Sequence, residues 1–157
     1  MNAEYINPFV EGTQSTLNSV CGESPTLGNV FTKTHPYSID AVSITVGIMG
    51  QIKGNVVFTM KSDVACFIAS KMMFGMPLLE LDDMSKSAVS EVGNMISGNV
   101  ATLFSVKGIL VDITPPSCQI DATPENFPFL KPDFEAVCIP FQFQDSKVFE
   151  IDIFLED

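Results

Sequence analysis

Basic residues are scarce in this chain of 157 residues: 8 lysines and arginines stand against 19 acidic residues, and the formal net charge is −11. Because nucleic-acid phosphates would repel so acidic a protein, the composition argues against a nucleic-acid partner. The same repulsion disfavours binding to anionic membrane surfaces. The charge balance favours an ordinary soluble surface.

Histidine and paired cysteines are also scarce, which excludes several kinds of chemistry. The single histidine, His35, precedes a proline, and no catalytic triad can be built around it. The chain has neither a phosphate-binding P-loop nor a dinucleotide fingerprint. Its four cysteines form no CxxC pair and have no histidine at zinc-ligand spacing, so we expect buried, reduced thiols of an intracellular protein. They are Cys21, Cys66, Cys118 and Cys138.

Long apolar runs and a targeting segment are missing as well. No stretch approaches the roughly 20 apolar residues that span a bilayer. The first residues, Met1 to Glu4, lack the basic region and apolar run of a signal peptide. Since 46% of the residues are apolar, the chain can bury one proper core. We therefore expect a single domain over residues 1–157, not associated with a membrane and located in the cytoplasm.

Apolar residues at helical spacing predict three helices, and alternating apolar residues predict strands. The predicted helices cover residues 3–20, 64–74 and about 83–106, with a start signal at Ser62-Asp63 for the second and at Asp82-Asp83 for the third. The predicted strands are two hairpins, 41–48 with 54–60 and 134–144 with 148–155, and three shorter segments, around 29–33, 109–114 and 117–120. Residues 121–133 contain three prolines and are predicted to be a loop.

The order of these elements predicts the fold class. A helix followed by about three strands occurs twice, which hints at a duplicated unit. We predict an α+β fold in which the helices pack on one face of a largely antiparallel sheet.

The long helix carries a polar stripe opposite its apolar face. At about 100° per residue, four residues of this stripe fall within an arc of about 60°. They are Ser87, Glu91, Asn94 and Gly98, and Ala101 and Thr102 extend the stripe. Gly93 and Gly98 each cost the helix about 1 kcal/mol relative to alanine. Two such glycines indicate that another backbone or a partner comes close.

One carboxylate and one carboxamide, one turn apart, are suited to a specific task. The Asn94 carboxamide can donate to and accept from a water and hold it in line with a phosphorus atom. Glu91 can pair with a cation on a partner and fix the alignment. Positioning a water is most of what phosphoryl hydrolysis requires of a protein. On spacing alone, ordinary exposed helix residues remain an open alternative.

The pattern Ser87-xxx-Glu91-xx-Asn94 resembles the signature of the CheC/CheX/FliY family of chemotaxis phosphatases, which reads Asp or Ser, three residues, Glu, two residues, Asn. Further matches lie in Val-Asp-Ile-Thr-Pro-Pro at 111–116 and in the alternating strand at 42–50. Asn7-Pro8-Phe9 is similar to the CheX type. The resemblance covers residues 3–155.

This resemblance implies dephosphorylation of the phospho-aspartate of a CheY-like response regulator. Asn94 would orient the attacking water, and Glu91 would pair with the regulator's active-site lysine. The Mg²⁺ would belong to the regulator, so the chain would need no cofactor or metal ligands of its own. The surface that receives the partner would include Ser87, Gly98, Ala101 and Thr102.

Glu4 and Asn7 repeat the Glu-xx-Asn spacing on the first helix, but no Asp or Ser precedes them at the right distance. We interpret this second match as accidental. One site per chain is similar to the CheX type, which implies a homodimer joined through sheet edges. The alternating C-terminal strands are expected to be exposed edges in a monomer, consistent with such pairing.

Two other functions stay open at this point. The chain could be a non-catalytic interaction or scaffold module of the flagellar switch or chemotaxis system, docking through its acidic surface and its Met-rich segment 72–76. It could also be a plain structural domain without a site. The sequence does not identify the response regulator or the behaviour that the pathway controls.

Overall fold

Three helices and eight strands make up the described part of the chain, which in this computed structural model comprises residues 3–33, 41–120, 127 and 135–156. The helices are α1 (Ala3–Cys21), α2 (Ser62–Met72) and α3 (Asp83–Val106). The strands are β1 (Thr26–Leu27), β2 (Phe31–Lys33), β3 (Ala41–Gly50), β4 (Gly54–Lys61), β5 (Val111–Ile113), β6 (Ser117–Gln119), β7 (Ala136–Gln142) and β8 (Val148–Leu155).

The strands form one sheet in the order β1-β7-β8-β4-β3-β5, with β2 also on β7 and β6 also on β3. Every pairing between described strands is antiparallel. Both predicted hairpins are present, β3 with β4 and β7 with β8. The predicted α+β class is therefore confirmed.

The two halves of the chain exchange their short strands. β1 and β2 from the first half pair with β7, whereas β5 and β6 from the second half pair with β3. About 85 residues separate the end of α1 from the end of α3, and the start of β1 from the start of β5. The shared offset of the helix ends and of the first short strands supports the predicted duplication of a helix–strand unit.

The C-terminal strands lie inside the sheet, so the expectation that they are exposed edges was wrong. β8 lies between β4 and β7, and β7 in turn is covered by β1 and β2. The ends of the sheet are the short strands β1 and β2 on one side and β5 and β6 on the other. The exchange between the halves explains the error, because it places each long hairpin next to strands from the other half.

The helices cover one face of the sheet, and this interface holds the main core. The buried strand residues on this face alternate along β3, β4, β7 and β8 as the pattern predicted. They include Val42, Ile44, Val46, Val56, Phe58, Ile139, Phe141, Phe149, Ile151 and Ile153. Between the helices, the rings of Phe9 and Phe104 meet edge to face with centroids 5.8 Å apart. Gly12 lets α1 approach α3, since a Cβ there would lie 3.0 Å from Val100 Cγ2.

The predicted bounds of α2 were less accurate. The helix starts after Lys61, which makes no side-chain capping bond, rather than at a Ser62-Asp63 cap. It ends at Met72 because Phe74 and Gly75 both have positive φ angles, 58° and 83°. Phe74 is fully exposed and Met76 is more than half exposed, so neither fills the core.

Two sequence predictions lie outside the described residues: the position of His35 and the loop at 121–133, of which only the buried Phe127 is described. Among the described helices, none combines the length and the apolar character that crossing a bilayer requires.

Candidate functional site

A capping box fixes the start of α3. Asp82 Oδ1 accepts a hydrogen bond from Ser85 N at 2.8 Å, and Ser85 Oγ accepts one from Asp82 N at 2.8 Å. The hydrogen bonds from Ser85 hold the pKa of Asp82 below its usual range. The helix start predicted at Asp82-Asp83 is confirmed.

Glu91 and Asn94 lie on the outward face of α3, where the stripe predicted them. Glu91 is exposed and Asn94 is half-buried, whereas Val92 and Ile96 on the opposite side belong to the core. Residues three apart are neighbours on a helix surface. Within the described part of the chain, neither side chain takes part in a hydrogen bond or an ion pair. The two candidate catalytic groups are therefore adjacent and available to a partner.

The four predicted partner-binding positions share this outward face. Ser87 and Thr102 are exposed, and Gly98 and Ala101 are half-buried. The Thr102 hydroxyl donates to the Gly98 carbonyl at 3.1 Å, so it is engaged by its own helix. A Cβ at Gly98 would meet nothing within 4 Å. The surface beside Asn94 therefore carries small side chains and leaves open space above Gly98.

Gly93 has a different role from Gly98. A Cβ at Gly93 would lie 2.9 Å from Ile44 Cγ2 and 3.2 Å from Phe58 Cδ2. The close approach at Gly93 is therefore between α3 and the sheet. The close approach predicted from the two glycines is therefore made at Gly93 by the sheet and not by a partner, and the approach of a partner at Gly98 stays a prediction.

The segment between β5 and β6 flanks the site. Thr114 forms two hydrogen bonds with Gly47 on β3. Its N–H donates to the Gly47 carbonyl at 2.9 Å, and its Oγ1 accepts from Gly47 N at 2.8 Å. Further along, burial raises the pKa of the Cys118 thiol, partly offset by a hydrogen bond with Ser90 on α3. β6 therefore runs beside the residue that precedes Glu91. Sequence reasoning used the 111–116 motif only as a family match and missed this packing role.

The Glu4 and Asn7 pair on α1 does not occupy the equivalent place in the first repeat. With the offset of about 85 residues between the halves, Ile6 and Phe9 correspond to Glu91 and Asn94. Phe9 is buried against α3. This register supports the interpretation of the second match as accidental.

Sequence reasoning overlooked a group of possible ligand atoms on the other face of the sheet. One atom each from Cys138, Glu150 and Asp152 lie within 4.8 Å of one another. The alternation along β8 could have revealed it, because Glu150 and Asp152 share the face opposite Phe149 and Ile151. The group lies across the sheet from α3 and is not part of the Glu91–Asn94 face.

With the fold and this geometry established, the relatives can be compared. The family model described as chemotaxis phosphatase CheX matches residues 42–142. A CheY-P phosphatase CheX from Thermotoga maritima is 35% identical over 120 residues, which cover 74% of this chain and 76% of that protein. The chain belongs to the CheX family of chemotaxis phosphatases.

Two solved structures show how widely this CheX-family fold is shared. A CheX–CheY–BeF₃–Mg²⁺ complex from Borrelia burgdorferi contains a similar chain, with 32% identity, a TM-score of 0.75 and coverage of 98% of both chains. A CheC-like superfamily protein from Shewanella sp. PV-4 is 25% identical, with a TM-score of 0.83 and full coverage of both chains. The α+β architecture is therefore that of CheX and CheC-like proteins.

Proposed function

We propose that this CheX-family chain hydrolyses the phospho-aspartate of a CheY-like response regulator. The observation that carries the proposal is the pair Glu91 and Asn94 on the outward face of α3, beside the open surface at Gly98. The two residues are adjacent, and neither forms a hydrogen bond or an ion pair with another described residue. The name of the Thermotoga relative and the presence of CheY in the Borrelia complex support the choice of substrate.

In this proposal the active site is completed by the partner. The Asn94 carboxamide accepts one hydrogen of a water and holds the water oxygen in line with the phosphorus atom. Attack forms a new phosphorus–oxygen bond and breaks the bond to the aspartyl oxygen, releasing inorganic phosphate and a free carboxylate. Glu91 pairs with a lysine of the regulator and fixes the approach. Mg²⁺ stays with the regulator, so this chain needs no cofactor of its own.

The shape of α3 suits insertion into a regulator. Ser87, Gly98, Ala101 and Thr102 are short side chains around Asn94, so a partner's backbone can come close without clashes. The negative charge of the chain, −11 overall, makes contact with the regulator's lysine favourable at long range and sensitive to salt.

The test measures phosphate release from a phosphorylated CheY-like regulator at several regulator concentrations. We expect Asn94→Ala to lower the stimulated rate by at least about 100-fold, because a misplaced water loses the in-line geometry. Glu91→Gln keeps the shape, removes the charge and is expected mainly to raise KM.

Asn99→Ala is the matched control. Asn99 is an exposed asparagine on the same helix, but its Nδ2 donates to Thr16 Oγ1 on α1 at 2.6 Å, away from the proposed site. The control should keep the wild-type rate. A full rate for Asn94→Ala in a folded protein would refute the proposed mechanism.

A second candidate is a non-catalytic interaction module, and one observation favours it. The segment between α2 and α3 exposes Phe74, Met76 and Leu79, with Met84 exposed in the first turn of α3. Such apolar side chains are typical of a docking surface. Binding of a regulator that leaves its dephosphorylation rate unchanged would favour this function over the first.

We further propose that the chain acts in the cytoplasm as a homodimer joined at a sheet end. The end formed by β1 and β2 exposes Leu27, Val30 and Phe31, and an unpaired strand edge can extend the sheet into a second copy. Sedimentation velocity of wild type and of Phe31→Lys would test this. A monomeric wild type at high concentration would contradict it.

A further inference from the structure

A charged cluster lies on the face of the sheet that points away from the helices. We call Lys33, Cys138, Glu150 and Asp152 the second-face cluster. In the register of the sheet Cys138 is directly opposite Asp152, and Glu150 lies two residues earlier on the same face of β8. Lys33 Nζ lies 2.7 Å from Glu150 Oε2 and 2.9 Å from Asp152 Oδ2. One ammonium group therefore contacts two carboxyl groups.

The cluster is shielded from water. The Asp152 side chain has no exposed surface, and Glu150 and Lys33 expose only 17% and 24% of theirs. Apolar side chains surround it, from Val57, Phe127, Ala136 and Phe154. The contact between Lys33 and Asp152 is an ion pair and lacks the alignment of a hydrogen bond.

The charges in this buried place do not balance if both acids are ionised. The described groups that face the two carboxyls are Lys33 from β2, the Cys138 thiol from β7, and the uncharged Val57 and Thr59 paired with them on β4. Two carboxylates and one ammonium leave one negative charge in an apolar setting, which is costly. One proton on the acid pair would remove that charge.

A metal ion is a poorer fit than a proton. The position between the two carboxyls that a cation would take is held by the Lys33 ammonium. Burial, and then the charge of Asp152, raises the pKa of the Cys138 thiol, so this group resists becoming the thiolate that binds metals.

The cluster also fastens the end of the sheet. β2 has three residues and pairs only with β7 among the described strands. The Lys33 side chain reaches across β7 to β8 and so adds a second attachment. An extra buried negative charge beside Lys33 would destabilise this end of the sheet.

We propose that Glu150 and Asp152 share one proton beneath Lys33, and that losing this proton destabilises the β2 end of the sheet, which makes it a pH-responsive element. Burial, then the hydrogen bond to and the charge of Asp152, raises the pKa of Glu150 to about 7. Burial alone would lower the pKa of Lys33. The charges and hydrogen bonds of the two acids outweigh the effect of burial and raise this pKa, so Lys33 stays charged.

The direction of the pH effect follows from linkage. An acid whose pKa is higher in the folded than in the unfolded protein binds more protons when folded. Its stabilising proton is fully retained below the unfolded pKa, near 4.5, and is lost as the pH rises through about 7. The stability contributed by the pair therefore falls between these values and is level above them.

The direct test is an NMR titration of the side-chain carboxyl carbon of Glu150 in the full chain. We expect a midpoint near pH 7 for Glu150 and an upward shift of about one unit or more in Lys33→Met, since the ammonium favours the ionised acid. A Glu150 carboxyl that titrates below pH 5 in wild type would overturn the proposal.

The second test compares urea unfolding from pH 5 to pH 8 in wild type, Glu150→Gln and Glu156→Gln. The first variant replaces the shared acid with a neutral side chain of the same shape and should flatten the pH dependence. Glu156 is exposed just beyond β8, so its variant should keep the wild-type slope. An unchanged slope in Glu150→Gln would overturn the proposal; if that variant does not fold, the NMR midpoint decides.

Amide hydrogen exchange shows which part of the sheet loses stability as the pH rises. We expect the protection factors of the β2 amides to fall about tenfold between pH 6 and pH 8 relative to those of α3. Equal changes in β2 and α3 would show that the β2 end is not the responsive element.

Discussion

Gly93 and Gly98 lie five residues apart on one helix and should respond in opposite ways to the same added methyl group. Alanine is favoured over glycine in a helix by about 0.5–1 kcal/mol, and both variants gain this amount. At Gly98 the new Cβ meets nothing within 4 Å, so we expect Gly98→Ala to stabilise the protein by about that amount.

At Gly93 the same methyl would lie 2.9 Å from Ile44 Cγ2 and 3.2 Å from Phe58 Cδ2. Neither neighbour can move freely, because both side chains are fully buried. Overpacking of this kind costs about 1–3 kcal/mol. Since the helix-propensity gain cancels between the two variants, their difference in unfolding free energy should equal this overpacking cost.

Urea unfolding followed by circular dichroism measures the difference. With m-values of about 1–3 kcal/mol/M for a small protein, the two midpoints should differ by about 0.3 M or more, with Gly98→Ala the higher. Equal midpoints, or a less stable Gly98→Ala, would refute the assignment of Gly93 to the core side and Gly98 to the open side.

The same position tests the docking face. Gly98→Leu adds a bulky side chain to open space, so the fold should be retained, while the approach of a regulator to Asn94 is blocked. We expect a KM at least about tenfold higher for the phosphorylated regulator. An unchanged KM would mean that the partner does not approach over this part of α3.

Three further predictions concern the surroundings of the site. Thr114→Val should lower the free energy of unfolding by about 1–2 kcal/mol in urea titrations, because the Gly47 N–H loses its acceptor, whereas Thr114→Ser should be closer to wild type. Asp82→Ala should lower the urea midpoint, because it removes the cap of α3. The pKa of Asp82 is depressed in the folded protein, so the stability that the cap contributes is present above the unfolded pKa and is lost as the pH falls through the folded pKa. The urea midpoints of wild type and variant should therefore converge in acid. Cys118 is half-buried and the other cysteines are buried, so it should react first with a thiol reagent at pH 8. Cys138 is fully buried, and burial and then the charge of Asp152 raise its pKa, so it should react last or only on unfolding.

The sequence predicted well those elements that are determined by interactions between neighbouring residues. α3 was predicted closely because its cap at Asp82 and its apolar period act over neighbouring residues. The hairpin of β3 and β4 was predicted for the same reason. By contrast, β1 was missed: its two residues have no pattern of their own and are held by pairing to Phe141 and Gln142 far along the chain.

The candidate site was predicted in outline rather than in depth. Helical spacing was enough to place Glu91 and Asn94 on one outward face. It could not tell Gly93 from Gly98 in function, because that distinction depends on where Ile44 and Phe58 lie. Likewise, the link from Lys33 to Glu150 joins residues 117 positions apart and leaves no trace in either local pattern.

The pairing of β4 with β8 at the centre of the sheet has a consequence for how the chain folds. Its partners, from Gly54 with Leu155 to Met60 with Phe149, are separated by roughly 90 to 100 residues of chain. During synthesis, α1, β3 and β4 emerge long before β8 exists to cover them. The apolar edge of β4 therefore stays unpaired until β8 has been synthesised, so the nascent chain has a long interval in which aggregation or chaperone binding competes with formation of the sheet.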